Sequence, residues 1–295
     1  MARVRNLNPA QAAIEKLSLF MDAIRFRESI FALPFAYTGM ILAARGLPTW
    51  HQFVWITVAM VGARTVGMAA NRIIDRHIDA RNPRNAVRHL PAGKLRVADM
   101  WALTLTAMAV FLLAAYMLNT LALLLAPVAL AYLFFYPFTK RFTWAANLLL
   151  GWALAIAPSA AWIGVTGSLT WHPVLLSLSV ALWAGSFDIL YHTMDREFYL
   201  KDGLHSVAQK FGPVNAFRIA RTLDALALAS LLALGLWMGL AWPYFVALAL
   251  VAGILLYKHS LVSPTDMSRF GVAFFRINAY VSTSVFAGTL AALLI

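Results

Sequence analysis

The sequence predicts an all-α integral membrane protein with about nine transmembrane helices. Three features predict this fold class: an apolar composition, long stretches without charge, and basic residues that gather on one side of the predicted spans. Apolar residues make up 62% of the 295 residues, whereas charged residues make up only 12%. A soluble domain of this size cannot bury so much apolar surface. We therefore expect the lipid bilayer to be the solvent for most of the chain.

The predicted spans follow from the charge-free stretches. A membrane-spanning helix needs ~20 mostly apolar residues, and the longest stretches are too long for one span each. Helix breakers divide them at Asn119, between Gly164 and Pro173, and between Gly239 and Pro243. Residues 1–21 are predicted to form a basic lead-in on the cytoplasmic surface, and 22–295 a single transmembrane domain. The predicted spans are 24–44, 51–74, 98–118, 121–138, 145–165, 173–192, 214–238, 243–258 and 274–295.

The basic residues predict the orientation of these spans. With a cytoplasmic N-terminus, all of the 24 lysine and arginine residues except Arg45 and Arg64 fall on cytoplasmic segments or cytoplasmic helix ends. This is the positive-inside pattern. Aromatic residues typical of a membrane interface mark the opposite edge: Trp50, Trp55, Trp162, Trp171, Trp242 and Tyr244. The net charge of +12 is therefore mostly topological, and we expect no nucleic-acid partner.

Six of the twelve acidic residues stand in two short windows at the cytoplasmic edge. The first window covers residues 71–94, in which Asn71, Asp75 and Asp79 recur every four residues. On a helix each such step drifts by only about 40°, so the three side chains share one face. Mg²⁺ prefers carboxylate and amide oxygens and completes its shell with substrate phosphates, which the arginines that follow would also bind. The alternative is a set of surface ion pairs in a topogenic loop.

The second window covers residues 188–212, where Asp188, Tyr191 and Asp195 again line one helix face. Lys201 and Asp202 follow shortly after. The alternative here is a helix boundary with local ion pairs. Both windows lie on the same side, each ends an even-numbered span, and four spans separate them. This recurrence indicates a pseudo-repeat of four helices with a site between the two halves.

The two windows resemble the motifs of the UbiA superfamily of intramembrane prenyltransferases, and the resemblance extends over about residues 22–293. It is strongest to the 4-hydroxybenzoate polyprenyltransferases, and two segments resemble the branch associated with menaquinone synthesis by the futalosine route. The residues that carry it are Asn71-Arg72-x-x-Asp75-x-x-x-Asp79, Arg84-Asn85-x-x-Arg88-His89-Leu90-x-x-Gly93, the segment 136–141, and Asp188-x-x-Tyr191-x-x-x-Asp195 through Lys201-Asp202-Gly203.

The resemblance implies a ring of about nine helices around a central cavity. It also implies Mg²⁺-dependent transfer of a polyprenyl group from polyprenyl diphosphate to an aromatic acid, 4-hydroxybenzoate or a dihydroxynaphthoate, in ubiquinone or menaquinone synthesis at the inner membrane. One departure leaves a question open, because Tyr199 stands where the family commonly has aspartate. Either Glu197 or Asp202 supplies the missing oxygen, or a second metal is held more weakly.

The resemblance also assigns roles to the charged residues. The catalytic carboxylates would be Asp75, Asp79 and Asp195, and the magnesium ligands Asn71, Asp75, Asp79, Asp188, Asp195 and Asp202. The diphosphate contacts would be Arg72, Arg84, Arg88, Lys140, Arg141 and Lys201. The acceptor contacts would be Arg25, Arg27, Arg64 and Tyr191.

Two other functions fit the sequence less well. A cation-coupled transporter also gathers acidic residues at a repeat interface, but its sites usually lie at mid-membrane on broken helices. The acidic windows here lie at the cytoplasmic edge instead. A family member with a different acceptor, such as haem, is the second alternative.

Overall fold

The computed structural model describes residues 9–25, 33–271 and 276–295, with side chains from residue 14 onward. Within these ranges the chain forms eleven α-helices and one 3-10 segment, and no strand. The helices are α1 Pro9–Ala23, α2 Leu33–Ala44, α3 Trp50–Arg81, α4 Val97–Leu118, α5 Thr120–Phe135, α6 Ala146–Thr166, α7 Trp171–Thr193, α8 Arg196–Asp202, α9 Val207–Met238, α10 Trp242–Leu261 and α11 Ile277–Leu293, with the 3-10 segment Tyr136–Arg141 after α5.

The prediction of an all-α membrane protein is confirmed. Among the described residues, seven helical segments are long and apolar enough to cross a membrane: α3, α4, α5 with the 3-10 segment, α6, α7, α9 and α10. Helices α2 and α11 are apolar but shorter, with 12 and 17 residues. They lie within the predicted spans 24–44 and 274–295, whose other ends fall partly outside the described residues. The count of nine spans and the ring arrangement stay predictions.

The helix breakers act where the sequence predicts. Asn119 ends α4 and caps α5, because its side chain accepts a hydrogen bond from the backbone N–H of Ala122 at 2.9 Å. Gly167 and Gly239 end α6 and α9 with φ angles of 67° and 62°, a left-handed conformation that glycine adopts at low cost. Helix α9 begins before the predicted residue 214, at Val207, and continues across a kink at Gly212.

Close contact between α6 and α7 brings two polar segments together. A Cβ atom added at Gly151 of α6 would lie 2.2 Å from the carbonyl oxygen of Ala181 on α7. Only glycine lets the two backbones approach this closely. The same contact sets Asn147, one turn before Gly151, against the charged end of α7.

Helix α1 packs across the charged ends of α3 and α4. The buried side chains of Phe20, Ala23 and Ile24 form a cluster with Ile73 and Met100. Lys16 adds an ion pair to Asp99 at the start of α4, at 3.2 Å. The end of α1 is thereby held beside the acidic window of α3.

Candidate functional site

A cavity of about 250 Å³ opens at the charged ends of the helices. Its wall comes mainly from α3, α7 and the 3-10 segment, and it includes both acidic windows. Among the polar lining residues are Arg25, Arg64, Asn71, Arg72, Asp75, Asp79, Asn82, Arg88, Lys140, Asn147, Asp188, Tyr191, His192 and Asp195. The two windows, more than a hundred residues apart in the chain, therefore face one space.

Asp75 is the most deeply buried carboxylate of the site, with 1% of its surface exposed. It accepts hydrogen bonds from the amide of Asn71 at 3.1 Å and from the ammonium group of Lys140. Arg141 lies 3.4 Å from its other oxygen and also donates to the Ile74 carbonyl at 3.0 Å. Lys140 and Arg141 thus bind the 3-10 segment to the acidic face of α3.

Asp79, one helical turn later, is bound by Arg88 from the following loop. One nitrogen of the Arg88 guanidinium donates to both carboxylate oxygens, at 2.7 and 2.8 Å. Burial disfavours the charge of Arg88, but the neighbouring Asp79 carboxylate raises its pKa above the usual value. A second nitrogen of Arg88 reaches the Tyr191 hydroxyl on α7 at 3.5 Å.

Asp195 of the second window is bound by residues of the first. It accepts from the Arg84 guanidinium at 2.5 Å and from the Asn82 amide at 3.2 Å. The Arg84 guanidinium also lies over the ring of Tyr191, 4.2 Å from its centroid. The Nε atom of Arg84 is buried and has no hydrogen-bond partner within the described part of the chain. Arg84 is not part of the cavity lining, but its guanidinium contacts Tyr191, which is. An unpaired donor next to this lining residue suits an anionic oxygen of a bound ligand.

Asp188 takes part in a different network. The Asn147 side chain donates to an Asp188 carboxylate oxygen at 2.7 Å and accepts from the backbone N–H of Val207 at 3.0 Å. His192 lies one turn further along α7, with its Nδ1 atom 3.2 Å from the same carboxylate oxygen. Asn147 therefore joins the ends of α6, α7 and α9 behind the acidic cavity.

Several predicted diphosphate ligands have other partners in the structure. Arg72 lines the cavity, but its Nε atom donates to the Ala23 carbonyl at the end of α1, at 3.1 Å. Arg84, Arg88, Lys140 and Arg141 are bound to the carboxylates described above. Lys201 is exposed on α8 and is not part of the cavity lining. Of the six predicted residues, Arg72, Arg88 and Lys140 line the cavity, whereas Arg84, Arg141 and Lys201 do not. Their role as diphosphate ligands stays a prediction.

The predicted acceptor residues are only partly described. Arg25 lines the cavity at the end of α1, with a φ angle of 51° that non-glycine residues rarely adopt. Arg64 lies deeper, on α3, and Tyr191 contributes to the opposite wall. The prediction for Arg27 falls outside the described residues.

Tyr199, which stands where the family commonly has aspartate, packs against other side chains and also lines the cavity. The Tyr199 ring is buried against Ile78 of α3 and Leu204. Burial raises the pKa of its hydroxyl well above the usual value, so it brings no negative charge. Neither open alternative lines the cavity: Glu197 is exposed, and both oxygens of Asp202 bind the Arg81 guanidinium, at 2.8 and 2.7 Å. The Arg81 hydrogen bond holds the pKa of Asp202 below its usual value, and its role as a metal ligand stays a prediction.

The oxygen donors of the site are divided between two walls. In the described ranges no three His, Cys, Asp or Glu side chains lie close enough together to hold a metal ion. Asn71, Asp75 and Asp79 lie on α3, whereas Asp195 lies across the cavity. Each of the three carboxylates contacts a basic side chain. This donor set is made of oxygens, as Mg²⁺ prefers, and it leaves part of the coordination shell to a ligand's phosphate oxygens. The residues therefore fit a magnesium–phosphate complex better than a bare metal site.

A second, apolar cavity of about 500 Å³ adjoins the charged one. The two cavities share Arg64, Met68, Tyr136 and Leu154 in their linings. The apolar cavity runs between α3, α4, α5 and α6, from Met68 to Ile56 along α3. The twelve helical steps between Met68 and Ile56 correspond to about 18 Å at the helical rise. A charged head and an apolar tail of one ligand would fit the two adjoining spaces.

Sequence reasoning missed three residues of the site. Asn82 and Asn147 carry no charge, so the acidic and basic patterns in the sequence do not indicate them. His192 shows no metal-ligand spacing with the other histidines. The one available signal for Asn147 is a polar side chain at the charged end of an otherwise apolar span, since such groups need a partner in lipid.

Comparisons with known proteins agree with this architecture. Residues 32–280 match the UbiA prenyltransferase family. A relative from Vibrio cholerae serotype O1, named 4-hydroxybenzoate octaprenyltransferase, is 34% identical over 85% of this chain and 88% of its own length. The apo structure of a UbiA homologue from Aeropyrum pernix K1 superimposes with a TM-score of 0.81 and 32% identity, covering 90% of this chain and 98% of that one. A UbiA homologue from Archaeoglobus fulgidus bound to GPP and Mg²⁺ has the same fold, with a TM-score of 0.69 and 19% identity over 94% of this chain and all of that one.

Proposed function

The chain belongs to the UbiA prenyltransferase family, and from this premise we propose that it transfers a polyprenyl group from polyprenyl diphosphate to an aromatic acid. We take 4-hydroxybenzoate as the first acceptor to test, because the curated relatives carry that name. A dihydroxynaphthoate is the second. The charged end of the helices would face the cytoplasm, with the chain in the inner membrane.

One observation carries the proposal: two acidic windows and their basic partners face one cavity that continues into an apolar one. The diphosphate would lie in the charged cavity between Asp75 and Asp79 on one side and Asp195 on the other. Its isoprenoid tail would lie in the apolar cavity. This arrangement matches the amphipathic form of the substrate, which has a charged diphosphate head and an apolar tail.

Magnesium would be held by Asn71, Asp75, Asp79 and Asp195, and it would supply charge neutralisation to the leaving diphosphate, as is usual in phosphate chemistry. The structure of the Archaeoglobus protein with bound Mg²⁺ and GPP supports the use of a magnesium–diphosphate complex. Arg84, Arg88 and Lys140 now bind the carboxylates, and they would turn their free donors toward the phosphate oxygens. Charge-assisted hydrogen bonds of this kind are about twice as strong as neutral ones.

The reaction breaks the bond between the prenyl carbon and the diphosphate oxygen, and the electron pair leaves with diphosphate. An aromatic ring carbon then forms the new carbon–carbon bond and loses its proton. Arg25 and Arg64 are the proposed partners of the acceptor carboxylate, since both line the cavity. The apolar and aromatic walls would exclude water from the cationic centre.

The test is product formation by the purified chain in lipid with GPP, Mg²⁺ and either aromatic acid, with haem as an alternative acceptor. We expect a prenylated aromatic acid and one diphosphate per product, detected by mass spectrometry. Asp75→Ala and Asp195→Ala should abolish turnover while the protein stays folded. Glu15→Ala, at a partly exposed position of α1 that does not line the cavity, is the matched control and should keep turnover within about twofold, as is usual for surface positions. Absence of product with any aromatic acid would refute the proposed acceptor class.

A further inference from the structure

A second group of buried charged residues lies away from the cavity. Asp224 of α9 accepts hydrogen bonds from the ammonium group of Lys258 and from Nε2 of His259, the latter at 2.7 Å. Lys258 and Asp224 are only 1% and 3% exposed. Asp224 lies eleven residues after Pro213, about 16 Å along α9 at the helical rise. Ionisable residues inside a membrane span usually have a function.

Stability alone does not explain this charged cluster of Asp224, Lys258 and His259. An apolar pair of similar volume is often as stable as a buried ion pair, or more so, because both charges lose their hydration. The cluster is also incompletely satisfied. In the described part of the chain, Oδ1 of Asp224 and Nδ1 of His259 are buried without a hydrogen-bond partner.

The charged cluster is linked to the proposed active site by two routes. Lys258 donates to the hydroxyl of Ser186 on α7 at 3.4 Å, and Ser186 stands two residues before Asp188. The second route is the segment after α10, in which Phe270 packs against the Tyr191 ring with a centroid distance of 5.9 Å. Tyr191 in turn contacts both Arg84 and Arg88. The cluster thus anchors two elements that reach the second acidic window.

We propose that Asp224 and Lys258 are positioning residues: their ion pair ties α9 and α10 to α7 and so fixes how Asp188, Tyr191 and Asp195 face the first window. This inference rests on the proposed function, because it concerns the geometry needed to hold one diphosphate between the two windows. Loss of the pair would leave the protein folded but would let the charged end of α7 shift relative to α3.

The test uses the double variant Asp224→Asn, Lys258→Met, which removes both charges and keeps an acceptor for His259. The matched control is Arg96→Met, which removes an exposed ion pair to Asp99 at the start of α4. Because the chain contains no cysteine, spin labels can be placed specifically at Val87→Cys and Leu200→Cys, two exposed positions beside the two windows. Four quantities are compared with the parent: thermal midpoint, turnover, Mg²⁺ half-saturation of turnover, and the distance distribution between the labels.

In the double variant we expect a thermal midpoint close to that of the parent, a turnover lower by about tenfold or more, a higher Mg²⁺ half-saturation, and a broadened or shifted label distance. The control should match the parent in all four. A folded double variant with unchanged Mg²⁺ dependence and label distance would overturn the inference, and so would a double variant that does not fold. Neither result would affect the proposed function, which fails only if the parent chain makes no prenylated product.

Discussion

Arg84 and Asp195 form an ion pair at 2.5 Å across 111 residues of sequence. Arg84 lies in the loop after α3, and Asp195 lies just beyond α7. The pair joins the two acidic windows directly, and the Arg84 guanidinium also covers the Tyr191 ring. A ligand that enters between the windows contacts both the Asp195 carboxylate and the Arg84 guanidinium. We therefore expect that replacing Arg84 and replacing Asp195 affect substrate binding and turnover differently.

Replacing Arg84 by glutamine should weaken substrate binding. The variant loses a guanidinium that contacts Asp195 and has a free Nε donor, and we expect the KM for prenyl diphosphate to rise about tenfold, equivalent to about 1.4 kcal/mol. Steady-state kinetics with varied GPP measure it. The matched control is Arg81→Gln, which removes the partner of Asp202 outside the cavity. An equal rise in KM for both variants would contradict the assignment of Arg84 and would bring Asp202 into the site.

Replacing Tyr199 by the aspartate common in the family should not improve metal binding. The side chain is packed against Ile78 and Leu204, and a carboxylate buried there would lie near the like-charged carboxylates of Asp188 and Asp195, which is costly. We expect a lower thermal midpoint and no tightening of the Mg²⁺ dependence. Tyr199→Phe, which keeps the ring, should resemble the parent. A lower Mg²⁺ half-saturation in Tyr199→Asp would show that the position can supply the missing oxygen.

Asn147 should be important for stability as well as for activity. In Asn147→Leu the Val207 N–H loses its partner and the Asp188 carboxylate oxygen keeps only His192. A buried group left unpaired costs about 1–3 kcal/mol. Thermal unfolding in detergent should therefore show a clear drop in midpoint. Asn215→Leu, at an exposed position of α9, provides the comparison. If the two variants unfold at the same temperature, the three-helix junction is not held by Asn147.

The contact at Gly151 allows a one-atom test of helix packing. A methyl group there would collide with the Ala181 carbonyl, and forcing α6 and α7 apart should cost about 1–3 kcal/mol. Gly253→Ala on α10 adds the same methyl group where nothing lies within 4 Å. Gly253→Ala should be neutral or slightly stabilising, because alanine favours helix. Equal thermal midpoints for the two variants would contradict the close packing.

The sequence predicts the helical membrane architecture and the two windows because each depends on local composition and spacing. Charge-free stretches, Asn119 and the terminal glycines define most helices, and the four-residue spacing puts Asp75 and Asp79 on one face. The partners of these residues were harder to predict, because they come from distant segments. Arg72 binds a backbone carbonyl of α1, Asp202 binds Arg81, and Asp224 forms an ion pair with Lys258. No local sequence pattern specifies such pairs. Tyr199 shows the same limit, since its burial depends on the packing of α3 against the segment 196–204.

The most direct test of the account is a structure of the chain with Mg²⁺ and a non-reactive thio analogue of geranyl diphosphate, determined in lipid. We expect the diphosphate to lie between Asp75 and Asp79 on one side and Asp195 on the other, with Arg84 and Lys140 turned toward its oxygens. The geranyl tail should lie in the apolar cavity beyond Arg64. A diphosphate bound elsewhere, or bound to only one of the two windows, would contradict it.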